Sequence, residues 1–253
     1  MVAMITHADL KNYGMADVTQ NLNEDGIAHY IKILKVKISD AHWLVNEGID
    51  AANNNQFDNA LKKFEEALTE NPSDFDALLR AAFVYEFNKN HDQAIAYYQK
   101  IAQVQPNEPY IQLRISANYY YLKQYHAALA CTRMALAIKP NFADAFFNQG
   151  LCFYELGRFE DALKSYSQSL AIRSNHFGAI FNIGMCLQVL NNYSEAIESY
   201  TKAIKIKPKE PDAYFNRGLC FHNLGNFDKA IKDYEIVLDI NKTESPINYA
   251  TAW

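Results

Sequence analysis

The fold of this chain is decided by residues 143–176, which read ADAFFNQGLCFYELGRFEDALKSYSQSLAIRSNH. Gly150 and Phe153 belong to one series of residues at helical spacing, and Ala162 and Tyr166 belong to a second series further along. A short turn centred on a glycine separates the two series. The segment therefore predicts two α-helices joined by a tight turn.

The same pattern recurs in six consecutive rows of 34 residues, without insertion or deletion. The rows are 41–74, 75–108, 109–142, 143–176, 177–210 and 211–244, and together they hold 204 of the 253 residues. A residue's place within its row is called its column. Column 20 is alanine in every row: Ala60, Ala94, Ala128, Ala162, Ala196 and Ala230. This regularity predicts an array of one structural unit.

Small and aromatic residues also recur in fixed columns, and they indicate how the two helices pack. Column 8 is small throughout, with Gly48, Ala82, Ser116, Gly150, Gly184 and Gly218. Column 24 holds Phe64, Tyr98, Thr132, Tyr166, Tyr200 and Tyr234. The small residues let the helices approach closely, and the aromatic rings fill the space between layers.

Turn residues and prolines mark where the helices begin and end. Column 15 holds the turn residues Asn55, Lys89, Lys123, Gly157, Asn191 and Gly225. Proline near column 32 stops the second helix in four rows, because it has no backbone N–H to donate. Pro109 and Pro211 open the next first helix, where a missing N–H costs little.

These columns resemble the tetratricopeptide repeat (TPR) family over residues 41–244. The resemblance implies an all-α fold, a right-handed superhelical solenoid of six tandem helix-turn-helix repeats. It also implies that the first helix of each repeat lines a concave groove. TPR proteins are binding scaffolds used by many unrelated systems, so the function must come from the surface that the repeats present.

The two ends of the chain do not fit the repeat. Residues 1–40 form an N-terminal extension and residues 245–253 a short C-terminal tail. Within the extension, the apolar spacing over residues 27–38 favours an amphipathic helix that caps the first repeat, although the alternation there is also compatible with a strand. The last helix of the sixth repeat carries more apolar residues than one repeat can bury, so something should cover them. We expect that a second copy of the chain does so, which would make a homo-oligomer through the C-terminal end.

Composition and charge argue against several classes of protein. Hydrophobic residues make up 49% of the chain, which argues against disorder, and the formal net charge of −5 argues against a nucleic acid partner. No apolar run has the length of a transmembrane helix, and the N-terminus lacks the pattern of a signal peptide. We therefore expect a cytoplasmic protein without membrane insertion.

No catalytic or metal-binding motif is present in the sequence. Phosphate-binding loops, dinucleotide fingerprints, nucleophile elbows and zinc-protease helices are all missing, and the histidines are scattered. Cys152, Cys186 and Cys220 share column 10, where a small apolar residue suits packing, so we interpret them as buried thiols. We expect neither a catalytic residue nor a cofactor, and the chain is predicted not to be an enzyme.

The resemblance implies that columns 2, 5, 6, 9, 12 and 13 of the first helices face the groove. Columns 5 and 9 are apolar in every row. The candidate residues are Asn46, Leu79, Arg80, Phe83, Leu113, Arg114, Phe147, Asn148, Leu151, Phe181, Asn182, Met185, Phe215, Asn216 and Leu219. We expect this wall to bind a segment of another protein or peptide through apolar anchors.

Column 6 is the polar column of the wall, and two questions about it stay open. Its asparagines either form a ladder that binds the main chain of an extended peptide, or are simply typical of the family. Arg80 and Arg114 either bind an acidic motif of the ligand or pair locally, for instance with Glu86 or Asp76. The lysine and asparagine of the carboxylate clamp that binds chaperone tails are absent, since columns 5 and 9 are apolar.

The leading function is therefore a non-enzymatic scaffold that holds a partner segment in its groove. Two alternatives stay open. The stretches Ile38-Ser39-Asp40 and Asn107-Glu108-Pro109-Tyr110, with Cys131, resemble bacterial type III secretion translocator chaperones, which implies a chaperone for a client protein. The chain would otherwise be the regulatory TPR portion of a larger enzyme or assembly.

Overall fold

A computed structural model describes residues 43–244, and these form twelve α-helices without a strand. The helices are α1 (Trp43–Asn53), α2 (Phe57–Glu70), α3 (Phe75–Phe87), α4 (His91–Val104), α5 (Pro109–Tyr121), α6 (Tyr125–Ile138), α7 (Ala143–Glu155), α8 (Phe159–Ile172), α9 (Phe177–Val189), α10 (Tyr193–Ile206), α11 (Pro211–Asn223) and α12 (Phe227–Glu244). Two helices fall in each predicted row, which confirms an all-α fold of six tandem helix-turn-helix repeats.

The predictions for the two ends lie outside the described residues. These are the N-terminal extension 1–40 with its helix near 27–38, and the tail 245–253. Among the residues that are described, no helix has the length and apolar character needed to cross a membrane.

The chain divides into two compact units, Met1–Asn148 and Gln149–Trp253. The division falls within α7. In unit 1, helices that follow one another from α1 to α6 are in contact, and so are the first helices α1 and α3. In unit 2, the same holds from α8 to α12, with α9 contacting α11. Each unit is therefore built by stacking helix pairs in sequence.

The turn between the two helices of each repeat requires a left-handed residue at column 15. All six residues of this column have positive φ: Asn55 58°, Lys89 59°, Lys123 58°, Gly157 71°, Asn191 62° and Gly225 74°. In the second repeat, the turn is closed by the N–H of Asn90, which donates to the carbonyl of Tyr85 at 2.8 Å. Glycine, and next asparagine, adopt this conformation at least cost, so the two lysines are the strained positions.

Close approach of the two helices depends on columns 8, 20 and 24. The column 20 alanines are buried in all six repeats. A Cβ added at Gly184 would lie 2.7 Å from the ring of Tyr200, and one at Gly218 would lie 2.7 Å from the ring of Tyr234. In these repeats the ring therefore occupies the space that a side chain at column 8 would need, which explains why glycine stands there.

The third repeat has no aromatic residue at column 24, yet its two helices, α5 and α6, still pack against each other. Ser116 and Thr132, its residues at columns 8 and 24, are both fully buried. The hydroxyl of Thr132 donates to the carbonyl of Leu129 at 2.9 Å, which satisfies the buried donor within its own helix.

A first prediction tests the contact between glycine and tyrosine. Gly184→Ala forces the Tyr200 ring or the helix to move, so we expect a loss of about 1–3 kcal/mol in the free energy of unfolding, measured with urea. The control is the same substitution in a Tyr200→Thr background, which copies the small column 24 residue of the third repeat. The loss should shrink there, and strictly additive losses would contradict the proposed clash.

A second prediction tests the strained turns. Lys89→Gly should raise the free energy of unfolding by about 1 kcal/mol, because a left-handed backbone costs a side-chain-bearing residue roughly that much. Gly157→Ala is the matched control, since a Cβ there meets no atom within 4 Å and the change isolates the backbone cost. The free energy of unfolding of Gly157→Ala should fall by a similar amount. A glycine at Lys89 that leaves stability unchanged would show that the turn is not strained.

Candidate functional site

The predicted groove residues of unit 1 are mostly buried. Leu79 and Leu113 belong to its hydrophobic core, and Phe147 is buried as well. Arg80, Phe83 and Asn148 are partly buried and Asn46 is exposed.

The two arginines of column 6 pair locally, which is one of the two alternatives left open by the sequence. Arg80 Nε lies 2.8 Å from a carboxylate oxygen of Asp76, one helical turn earlier. Arg114 Nη2 lies 2.5 Å from Glu86, whose other oxygen accepts a hydrogen bond from the hydroxyl of Tyr98 at 2.8 Å. Both Arg114 and Glu86 are buried, so this pair holds α3 to α5.

In unit 2, the predicted residues of α9 and α11 form a surface that we call the unit 2 wall. It consists of Phe181, Asn182, Met185, Phe215, Asn216 and Leu219. The two helices are in direct contact, and the six residues occupy the same three columns of each. Phe215 is 46% exposed, and the other five are partly buried, as is Leu151 on α7. The wall thus offers apolar surface and side-chain amides together.

The phenylalanines of the wall rest on the tyrosines that pack against the column 8 glycines. The ring of Phe181 lies 5.5 Å from that of Tyr200, and the ring of Phe215 lies 5.8 Å from that of Tyr234. The hydroxyl of Tyr200 donates to Gln188 Oε1 at 2.8 Å, which fixes its ring. The packing inside each repeat therefore positions the aromatic anchors on its surface.

The asparagine amides of the wall differ in their hydrogen bonds. Asn216 Nδ2 donates to the carbonyl of Asp212 at 2.8 Å, so its oxygen is left to accept. The side chain of Asn182 has no hydrogen-bond partner within residues 43–244. Its donor and acceptor can both bind a ligand's main chain.

The unit 2 wall carries no free cation. Helix α9 contains no charged residue, and α11 contains one arginine, Arg217. Arg217 Nη2 and Nε donate to the two carboxylate oxygens of Asp233, at 2.7 and 2.8 Å, and Nη1 donates to the hydroxyl of Thr201 at 3.1 Å. These two helices therefore offer an acidic ligand no unpaired lysine or arginine.

Two residues extend the apolar stripe of α9 beyond those predicted from the sequence. Phe177 stacks on Phe181 at 5.8 Å, and Val189 is exposed one turn beyond Met185. The signal for both was present, because residues 177, 181, 185 and 189 are spaced by four and share one helix face. Val189 occupies column 13, which is one of the family's groove columns, whereas Phe177 occupies column 1, which is not.

All four cysteines are buried and none forms a disulfide, and burial of the three in column 10, Cys152, Cys186 and Cys220, was predicted from the sequence. Burial raises the pKa of Cys131 and Cys220 to about 11 and that of Cys186 to about 12. These three thiols are therefore protonated and weakly nucleophilic near neutral pH. In the described part of the chain, no group of histidine, cysteine and acidic residues is arranged to hold a metal ion.

Protein-family models match most of the repeat region. Two models described as tetratricopeptide repeat match residues 51–118 and 211–244, and one described as TPR repeat matches residues 190–225. The chain belongs to the tetratricopeptide repeat family. Residues 121–203 match a model described as anaphase-promoting complex, cyclosome, subunit 3. A comparison with curated proteins finds no significant match.

Solved TPR structures share the fold at low sequence identity. A tetratricopeptide repeat protein from Parabacteroides merdae has a TM-score of 0.69 at 17% identity, over 79% of each chain. Pseudomonas aeruginosa pilF gives 0.65 at 17% identity, over 82% of this chain and 93% of its own. YrrB, described as a TPR protein with an unusual peptide-binding site, gives 0.57 at 22% identity, over 73% of this chain and 93% of its own.

Helix α9, which carries Phe181 and Asn182, begins after a histidine N-cap. His176 Nδ1 accepts a hydrogen bond from the N–H of Ala179 at 3.1 Å. Burial, and then the charge of Arg173, lower the pKa of His176 from 6.5 to about 4. A protonated ring could not accept this bond, so the cap requires neutral histidine.

A third prediction follows for the pH dependence of stability. Because the folded pKa lies below the unfolded one, the stabilisation is complete above pH 6.5 and is lost as the pH falls towards 4. The full effect is about 3 kcal/mol, from roughly 1.4 kcal/mol per pKa unit. Urea unfolding at neutral and mildly acidic pH should show a smaller loss in His176→Asn than in the original chain. Equal losses in both would contradict the role of His176.

Proposed function

We propose that this chain is a non-enzymatic scaffold that binds an uncharged, apolar segment of another protein on the unit 2 wall. The observation that carries the proposal is Phe215, a large aromatic side chain that is 46% exposed beside an uncharged helix. TPR proteins are in general non-catalytic scaffolds that bind proteins or peptides, and YrrB supports a peptide ligand for this fold.

The proposed ligand is extended, because amides and apolar residues alternate on the wall. Asn182 offers an unused donor and acceptor to the main chain of a peptide. Phe181, Met185, Phe215 and Leu219 then contact apolar side chains of the ligand. Each buried anchor contributes about 1.5–3 kcal/mol, while association costs about 4–15 kcal/mol. A few anchors and the amide bonds together give modest affinity.

The narrower functions stay predictions. A secretion chaperone and the regulatory TPR portion of a larger enzyme or assembly would both use the same wall. The cytoplasmic location also stays a prediction. Self-association through the C-terminal end is also still a prediction, and it is consistent with the exposed apolar residues of α12.

A fourth prediction tests the wall directly. A phage-displayed library of random twelve-residue peptides is panned against the purified chain, and a selected peptide is labelled and titrated by fluorescence anisotropy. Phe215→Ala should weaken binding about tenfold or more, because one lost anchor of this size corresponds to at least that factor. Asn182→Ala, tested by itself, should also weaken peptide binding, although it leaves the apolar side chains of the wall in place.

The matched control is Ile172→Ala, which removes an equally exposed apolar side chain from α8, away from the wall. It should leave binding unchanged. Circular dichroism and Tm of all variants establish that they are folded. Selected peptides that are rich in acidic residues, or that bind Phe215→Ala as well as the original chain, would refute the proposal.

A further inference from the structure

A lysine lies at the edge of the unit 2 wall, outside the two helices that form it. Lys207 is the C-cap residue of α10, and its Nζ lies 4.5 Å from the centre of the Phe177 ring. Phe177 in turn stacks on Phe181 of the wall at 5.8 Å. The wall, whose own six residues are uncharged, therefore has a positive charge beside it at the end where Phe177 lies.

The same column carries a cation in two other repeats, where the cation is partly buried. Column 31 holds Lys139, Arg173 and Lys207 in the third, fourth and fifth repeats, and of these only Lys207 is exposed. Lys139 Nζ donates to the hydroxyl of Tyr110, in column 2, at 3.2 Å. The column 2 residue of the fifth repeat is Gly178, which has no side chain to accept that bond. The fifth repeat thus keeps the cation of the third repeat without its hydroxyl partner.

The ammonium group of Lys207 is accessible to a ligand. Within residues 43–244 it forms no ion pair and no hydrogen bond. Glu210 and Asp212, the acidic residues nearest to it in sequence, lie at the start of α11, and neither pairs with it. An ammonium group has three donors and no acceptor, so the partner that suits it is an anion.

The position of Lys207 also determines at which end of the wall a ligand anion binds. Phe177, which the ammonium group faces, is the first residue of α9, whereas the first turn of α11 carries Asp212. A carboxylate is attracted by the lysine at α9 and repelled by the aspartate at α11. A ligand that crosses from one helix to the other therefore has a preferred direction.

We propose that Lys207 is a specificity-determining residue of the unit 2 wall, and that the ligand carries one carboxylate directly beside its apolar segment, at the end that contacts Phe177. This inference rests on the proposed function, which supplies the apolar segment. The carboxylate belongs either to an aspartate or glutamate side chain or to the C-terminus of the ligand, since both present the same charge and acceptors. Because the ammonium group is exposed, the ion pair selects among ligands and adds little affinity.

The test uses one apolar peptide selected from the random library. It is synthesised with blocked ends and with either Asp or Asn added at its N-terminal or its C-terminal end, and fluorescence anisotropy measures the four affinities. At one end only, the Asp version should bind about two- to fivefold more tightly than the Asn version, which is the factor that an exposed ion pair supplies. A version without Asp that ends in a free carboxylate distinguishes the C-terminal group from a side chain.

Substitutions in the chain identify the cation. Lys207→Met removes the charge and keeps an apolar side chain beside Phe177, so it should bind the Asp and Asn versions equally. Lys207→Glu should instead prefer a version with Lys at that position. Lys209→Met is the matched control, because Lys209 is an exposed lysine of the same loop that faces no ring of the wall among the described residues, and it should keep the preference for Asp. Circular dichroism and Tm establish that the variants are folded.

The outcomes separate this inference from the proposed function. Equal binding of the Asp and Asn versions at both ends would overturn the role of Lys207 and leave the proposed function intact. A preference that Lys209→Met abolishes as fully as Lys207→Met would also overturn it, because the effect would then come from the general charge of the loop. If no peptide is selected, or if Phe215→Ala binds the peptide as well as the original chain, the proposed function fails and the inference fails with it.

Discussion

Packing of an aromatic ring from the second helix onto a glycine of the first sets the spacing of the helix pair in four of the six repeats. At Gly184 and Gly218 the ring lies where a Cβ would be, so the two helices approach as closely as their backbones allow. The same rings support Phe181 and Phe215 from below. One contact thus determines both the core of the repeat and the placement of its surface anchors.

Hydrogen bonds of the column 24 tyrosines contribute to the packing both where this contact is altered and where it is kept. The second repeat has Ala82 in place of glycine, and the hydroxyl of its column 24 residue, Tyr98, donates to buried Glu86, which in turn pairs with Arg114. Tyr200 uses the same geometry with a neutral partner, Gln188. In both cases the donor and acceptor lie twelve residues apart, so the repeat can carry either a charged or an uncharged interaction at one place.

The unit 2 wall is uncharged towards a ligand because the one arginine beside it is already paired. Asp233 takes up the guanidinium of Arg217, and α9 has no charge at all, so hydrophobic contact and amide hydrogen bonds are what remain for a ligand. Such a surface discriminates by shape and apolar pattern rather than by charge. It suits a scaffold that releases its partner, because its affinity comes from a few anchors.

The sequence by itself determined the fold, since the columns of small, aromatic and turn residues are local and periodic signals. Column 15 marked the turn residues one by one, and the structure adds that all six are left-handed. Tertiary structure decided which candidate residues are accessible. Leu79 and Phe215 share a column, yet one is buried and the other half exposed, because exposure depends on what packs against the helix. The partners of Arg80 and Arg114 were likewise open in the sequence, because several carboxylates lie within reach along the chain, and the tertiary structure brings Asp76 and Glu86 to them.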